Sequence, residues 1–168
     1  LNINDFKVDV PGTAIMIPGF EPGDGGDYTT EQIVSQFKDA VVKYFWPAII
    51  SKELEVEIKF NGETQNLNVS RHPDFKEYIK IYEKLLDNPK EQDKNFKLIE
   101  AKGPRSTINA HIGLYVTEAR STSLVNRIAK IRGTRMVIEY GDPRISGASG
   151  NQMIGVAMAG ALINEIDN

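Results

Sequence analysis

Cysteine is absent from the sequence, which excludes disulfides and thiolate metal sites. Histidine is scarce. His72 and His111 are the only two, which argues against a zinc site or a histidine-based triad. No apolar run reaches the roughly eighteen residues that a membrane-spanning helix needs. The stretch Met153–Ile163 is apolar but short and rich in glycine and alanine. The first residues show no secretory pattern, and the chain begins at Leu1. The expectation is a cytoplasmic piece of a longer protein. The sequence also lacks G-x-S-x-G, a Walker loop, H-E-x-x-H and G-x-G-x-x-G. Gly23-Asp24-Gly25-Gly26-Asp27 has no phosphate-loop lysine and carries two acids that would repel phosphate. With no acid, base and nucleophile set to assemble, an independent small-molecule enzyme is the weakest reading.

What is present describes a globular domain. The 168 residues are 40% hydrophobic and 26% charged, which argues against disorder. The net charge of -3 and pI near 5.5 do not describe a nucleic-acid binder as a whole. The distribution is uneven, however. Residues 1–30 carry net -4, residues 31–100 net -2 and residues 101–168 net +3. Six of the seven arginines fall in that last part, while eleven of the thirteen lysines precede residue 98. Arginine offers a planar fork to carboxylate or phosphate. The uneven placement reads either as solvated faces or as an anion-facing edge.

Periodicity predicts an α+β domain. It implies a mixed or mainly antiparallel sheet of about six or seven strands, with about three helices on one face. Thr13–Ile17 reads as a short strand and residues 21–27 as a linker-like loop. Thr29 and Gln32 form a capping-box pattern. The helix that follows carries Ile33, Phe37, Val41, Tyr44 and Ala48 at helical spacing, and Pro47 predicts its end or a kink near Tyr44. Phe45-Trp46 reads as a core plug. Leu54–Phe60 alternates strictly, Asn61-Gly62 signals a hairpin, and Thr64–Ser70 returns. Pro73-Asp74 opens a second helix with Phe75, Ile79, Tyr82 and Leu86 on one face, stopped by Asn88-Pro89. Phe96–Ala101 is a strand. Ile108–Val116 is a longer strand with His111, Gly113 and Tyr115 on its outer face. A third helix, capped by Ser121 or Ser123, runs through Leu124, Val125, Ile128, Ala129 and Ile131. Arg135–Tyr140 is a strand. Residues 153–163 are assigned to a strand, although a closely packed helix also fits.

Three groups could carry chemistry. Glu53, Glu55 and Glu57 could suggest a metal site, but their alternation on a wet strand face reads as solubility, and no metal site is expected. Arg144–Gly150, with Ser146 and Ser149, combines hydroxyls and backbone donors beside an arginine and could face an anion. Arg127, Lys130, Arg132 and Arg135 straddle the end of the expected third helix. They would either stabilise its dipole or present a cation to a transferring phosphoryl group.

Gly12-Thr13-Ala14-Ile15-Met16-Ile17 resembles the glycine–threonine box that enters the last strands of GHKL-type ATPase domains, the superfamily of gyrase, MutL and histidine kinases. There, a second α+β domain, the transducer, follows. The order of elements downstream is similar here. Ile128–Tyr140 (IAKIRGTRMVIEY) resembles the I-R-x-x-x-M-V-I region of uncharacterised bacterial members, and Lys43–Ile49 (KYFWPAI) is similar to the same proteins. The resemblance implies that residues 1–20 are the tail of an upstream ATPase domain and residues 21–168 a transducer-like domain. It implies ATP and magnesium for the parent protein, held by boxes upstream of Leu1, and none for this piece. It implies the upstream domain as partner, with a homodimer in the parent. Gly12, Thr13, Lys130, Arg132 and Arg135 become nucleotide-related residues. One of the three cations would replace the Gln-Thr-Lys loop that several transducers aim at the γ-phosphate, and Arg132 fits best. The competing reading is a stand-alone module that binds protein or polynucleotide through its sheet face or arginine-rich edge.

Overall fold

The computed structural model describes residues 26–87, 94–102, 109–117, 124–142 and 152–159. Among these the chain forms two helices and seven strands, an α+β arrangement as expected. The strands divide into a two-stranded and a five-stranded sheet.

Helix α1 (Thr30–Ile50) starts on the predicted capping box. The Gln32 amide donates to Thr29 Oγ1 at 3.3 Å, and the Thr29 amide donates to Gln32 Oε1 at 2.8 Å. The expected break at Tyr44 does not occur, because the helix runs through Pro47 to Ile50. A proline here removes the amide that would bond the carbonyl four residues back. That carbonyl belongs to Lys43, and the Tyr140 hydroxyl donates to it at 2.6 Å. A partner from the sheet thus satisfies the group that Pro47 abandons. Strands β1 (Ile58–Phe60) and β2 (Glu63–Gln65) are shorter than the alternation suggests. Their turn has Asn61 and Gly62 both at positive φ, 51° and 81°, the backbone of a two-residue type I′ hairpin. Helix α2 (Lys76–Asp87) buries Tyr78, Ile79, Ile81, Tyr82 and Leu85.

The larger sheet comprises β3 (Phe96–Lys102), β4 (Asn109–Thr117), β5 (Arg127–Ile131), β6 (Val137–Gly141) and β7 (Gln152–Ala159). Its order is β3-β4-β7-β5-β6. All pairs are antiparallel except β5 with β7. Residues 153–159 lie in a strand, as expected. The expected third helix is absent over Arg127–Ile131, which is strand β5. Ala129 and Ile131 alternate into the core at 0% and 3% exposure, between β6 and β7. Asn126, at φ 58°, turns the chain into that strand. Its amide donates to Met153 O at 2.8 Å and its side chain accepts the Met153 amide at 2.9 Å. Ser121 and Ser123 lie outside the described residues.

The faces of β4 are also exchanged. His111 and Gly113 turn inward, opposite Met158 and Val156 of β7, and His111 is only 8% exposed. Gly113 explains the choice. A Cβ there would lie 2.7 Å from Ile81 and 3.2 Å from Leu85, so the missing side chain lets α2 settle on this row. The core then joins Trp46 of α1, Tyr78, Ile81, Tyr82 and Leu85 of α2, and Ile154, Val156 and Met158 of β7. The apolar row of β4 faces the other way, where Val116 is 40% exposed, as is Ile99 of β3 at 37%.

Candidate functional site

The four-cation cluster lies on the β5–β6 hairpin rather than at a helix end. The turn Arg132-Gly133-Thr134-Arg135 is closed by Arg135 N–H to Arg132 O at 2.8 Å and Arg132 N–H to Met136 O at 3.0 Å. In such three-residue loops the last position is left-handed and favours glycine. Here Arg135 occupies it, at φ 53°. The strain of a bulky residue in that region persists only when surrounding contacts over-determine it.

Those contacts are present. Arg135 Nε pairs with Glu53 Oε1 at 2.5 Å, and the arginine side chain is 10% exposed. Arg135 Nη1 donates to the Tyr82 hydroxyl at 2.9 Å and to Ser51 Oγ at 3.3 Å. Ser51 and Tyr82 are themselves bonded at 2.9 Å. Ser51 caps the C-terminus of α1. One guanidinium therefore ties the hairpin tip to the end of α1 and to the middle of α2. Sequence reasoning misses Ser51, Glu53 and Tyr82 as partners, and assigns Glu53 to solubility alone. No local pattern announces them, since Tyr82 and Ser51 stand 53 and 84 positions from Arg135.

The base of the hairpin is held by two tyrosines. The Tyr78 hydroxyl donates to Leu124 O at 2.7 Å and lies 3.1 Å from Arg127 O. The Tyr140 hydroxyl accepts the Trp46 indole N–H at 2.9 Å while it donates to Lys43 O. Burial pushes both phenols well above their ordinary range. Trp46 is 0% exposed and meets Tyr82 edge-on at 5.3 Å, so its role is packing.

The other cations separate. Lys130 pairs with Glu139 at 2.8 Å on the sheet face opposite the two described helices. Arg132 is exposed at the tip, with no side-chain hydrogen bond or ion pair among the described residues. The tether at Arg135 limits where the Arg132 side chain can be presented. Gly12, Thr13, Arg144, Ser146 and Ser149 lie outside the described residues.

The two histidines stand apart from this cluster. His72 Nδ1 accepts the Asp74 amide at 3.3 Å, which leaves Nε2 to carry the proton in the neutral ring. It lines a cavity of about 220 Å³ with Asp39, Lys43, Asp74, Phe75 and Leu124. Among the described residues, buried His111 Nδ1 and Gln152 Oε1 have no hydrogen-bond partner. Among the described residues no three acids or histidines are placed to hold a metal, and no helix is long and apolar enough to cross a membrane. The chain matches no family model, no curated protein and no solved structure.

Proposed function

We propose that this chain is the transducer-like part of an ATP-dependent protein of the GHKL type. In this reading it carries Arg132 toward the γ-phosphate of ATP bound on an upstream domain, and it does not catalyse hydrolysis alone. The observation that supports this is the presentation of one exposed arginine on a turn whose neighbour, Arg135, is locked to both helices. A positioned guanidinium stabilises the charge that develops on a transferring phosphoryl group. ATP and magnesium would be held by the upstream boxes, and this chain would supply the cation and its frame. Movement of the tip would pass through Arg135 to the end of α1, which is how nucleotide state would become a change of conformation.

The test uses the protein joined to its upstream portion. Arg132→Ala should lower kcat for ATP hydrolysis by about a hundredfold, with Arg132→Lys partly active because it keeps charge but loses the fork. Unchanged turnover in Arg132→Ala overturns the proposal.

The sheet face opposite the two described helices favours a second reading. Ile99 and Val116 are exposed there, and the cross-strand register sets Ile112, Met153 and the buried Leu114 on the same side. Such a face suits a protein partner in a stand-alone interaction module. Binding of a polynucleotide at the arginine-rich edge would instead be steeply salt-dependent. A flat titration of the isolated chain against nucleic acid at low salt removes that version.

A further inference from the structure

The ladder of the two-stranded sheet stops early. Its last rung is Ile58 with Gln65. The same register would next set Glu57 against Asn66 and Val56 against Leu67, and neither rung forms. The arms part there, and a groove of about 920 Å³ opens between them. Residues 54–57 line one wall, residues 64–67 the other, and Ile49 and Lys52 close the end beside α1.

Thr64 and Gln65 are already paired with Lys59 and Ile58, and the Thr64 hydroxyl reaches the Glu57 carboxylate of the other wall. Beyond these rungs the two arms continue without a ladder, and in the same register Val56 and Leu67 would be the next pair to exchange backbone hydrogen bonds. Among the described residues neither Val56 nor Leu67 has a backbone hydrogen-bond partner. Two strand edges therefore face each other across a space in the size range of ligand sites. The side chains add a preference. Leu54, Val56 and Leu67 are half-buried at the walls, and Glu55 and Glu57 are exposed beside them. Glu57 is engaged by Lys59 at 3.1 Å and Thr64 at 3.2 Å, both surface contacts of the kind that yield to a competing cation.

We infer that this groove receives an extended, basic peptide segment of a partner protein by strand addition. The peptide backbone completes the rungs missing at Val56 and Leu67. Alternate apolar side chains cover Leu54 and Leu67, and the intervening cations meet Glu55 and Glu57. The site is independent of Arg132 and of any nucleotide. It is nonetheless adjacent to the hairpin tether, because Ser51 and Glu53, which hold Arg135, alternate along the chain with Lys52 and Leu54 of the groove.

The experiment titrates the full ¹⁵N-labelled chain with three eight-residue peptides. One alternates valine with lysine, one alternates valine with glutamate, and the third is the lysine peptide with N-methylated valine amides. The lysine peptide should shift the amide resonances of residues 54–57 and 64–67 in a saturable way. The glutamate peptide should bind about tenfold more weakly, and N-methylation should abolish binding because it removes the donors of the added strand. A Glu55→Lys/Glu57→Lys double variant changes only exposed side chains and should reverse the preference between the two charged peptides. Equal affinity for both, binding that survives methylation, shifts confined to other residues, or no shifts at all would each overturn the inference.

Discussion

The β5–β6 hairpin is fastened at three places to residues far away in sequence, whereas the β1–β2 hairpin is held by its own turn and a few rungs. Tyr78 grips the entry to β5, Tyr140 joins β6 to α1, and Arg135 locks the tip. The β1–β2 hairpin has the better turn sequence, Asn61-Gly62, and buries only Ile58 among its strand residues. Good turn chemistry makes a hairpin form, but long-range polar anchors in a buried core tie it to the rest of the fold. The anchored hairpin carries the exposed arginine, and the other one carries the groove.

The largest effect expected on this contrast comes from Trp46→Ala. Trp46 is fully buried, packs on Tyr82 and donates to Tyr140. Its truncation should cost about 3–5 kcal/mol in denaturant unfolding. Amide exchange should then accelerate across β5 and β6, as expected of strands that open with the whole fold. Exchange in β1 and β2 should change little, as expected of a hairpin that opens by itself. Equal acceleration in both hairpins would show that they share one cooperative unit.

Tyr140→Phe is smaller and more specific. It leaves the Lys43 carbonyl and the Trp46 indole N–H unpaired, at a cost of about 1–3 kcal/mol. It should also change the alkaline limb of stability. Burial raises the Tyr140 and Tyr78 phenols above the value of about 10 expected in the unfolded chain. Their contribution is complete below about pH 10 and is lost as pH rises above it, when the unfolded chain releases protons that the folded one retains. Thermal melts from about pH 8 to 11 should show a steep fall in the wild type and a shallower one in Tyr140→Phe.

These anchors mark where the sequence stops being readable. Thr29 with Gln32, Asn61-Gly62 and the alternation of β4 are local signals, and each corresponds to a real cap, turn or strand. Pro47 misleads because its effect on α1 depends on a hydroxyl 97 positions from Lys43. Arg127–Ile131 misleads because IAKI fits a helix as well as a strand, and its pairing with β6 and β7 decides between them. The inward face of β4 depends on Gly113, whose missing side chain matters only once Ile81 and Leu85 are above it. At the site, Arg132 stands out in the sequence as a member of a basic cluster. The inward turn of Arg135 is not legible there, since its partners come from two other elements.

Gly62→Ala tests the weaker side of the comparison. Gly62 lies at φ 81°, and a Cβ at this position would meet only open space, so the cost is backbone strain alone, about 1 kcal/mol. If the β1–β2 hairpin opens by itself, that strain should appear as faster exchange of its own amides, with the global midpoint nearly unmoved. The groove flanking it should then bind the lysine peptide more weakly, because its two walls are held together by this turn.

Lys130→Ala should have the smallest effect, and its smallness is informative. Lys130 and Arg135 belong to the same basic cluster, and each meets a glutamate at short range. Lys130 and Glu139 are 48% and 58% exposed, whereas the Arg135 side chain is 10% exposed and has Tyr82 and Ser51 as further partners. Water screens the first pair, and holding two long side chains together offsets most of what remains. Lys130→Ala should therefore change unfolding free energy by no more than about 0.5 kcal/mol, with little dependence on salt. A loss above about 1 kcal/mol would mean that the Lys130–Glu139 pair also braces the hairpin, and that its anchoring does not rest on the tyrosine and arginine contacts alone.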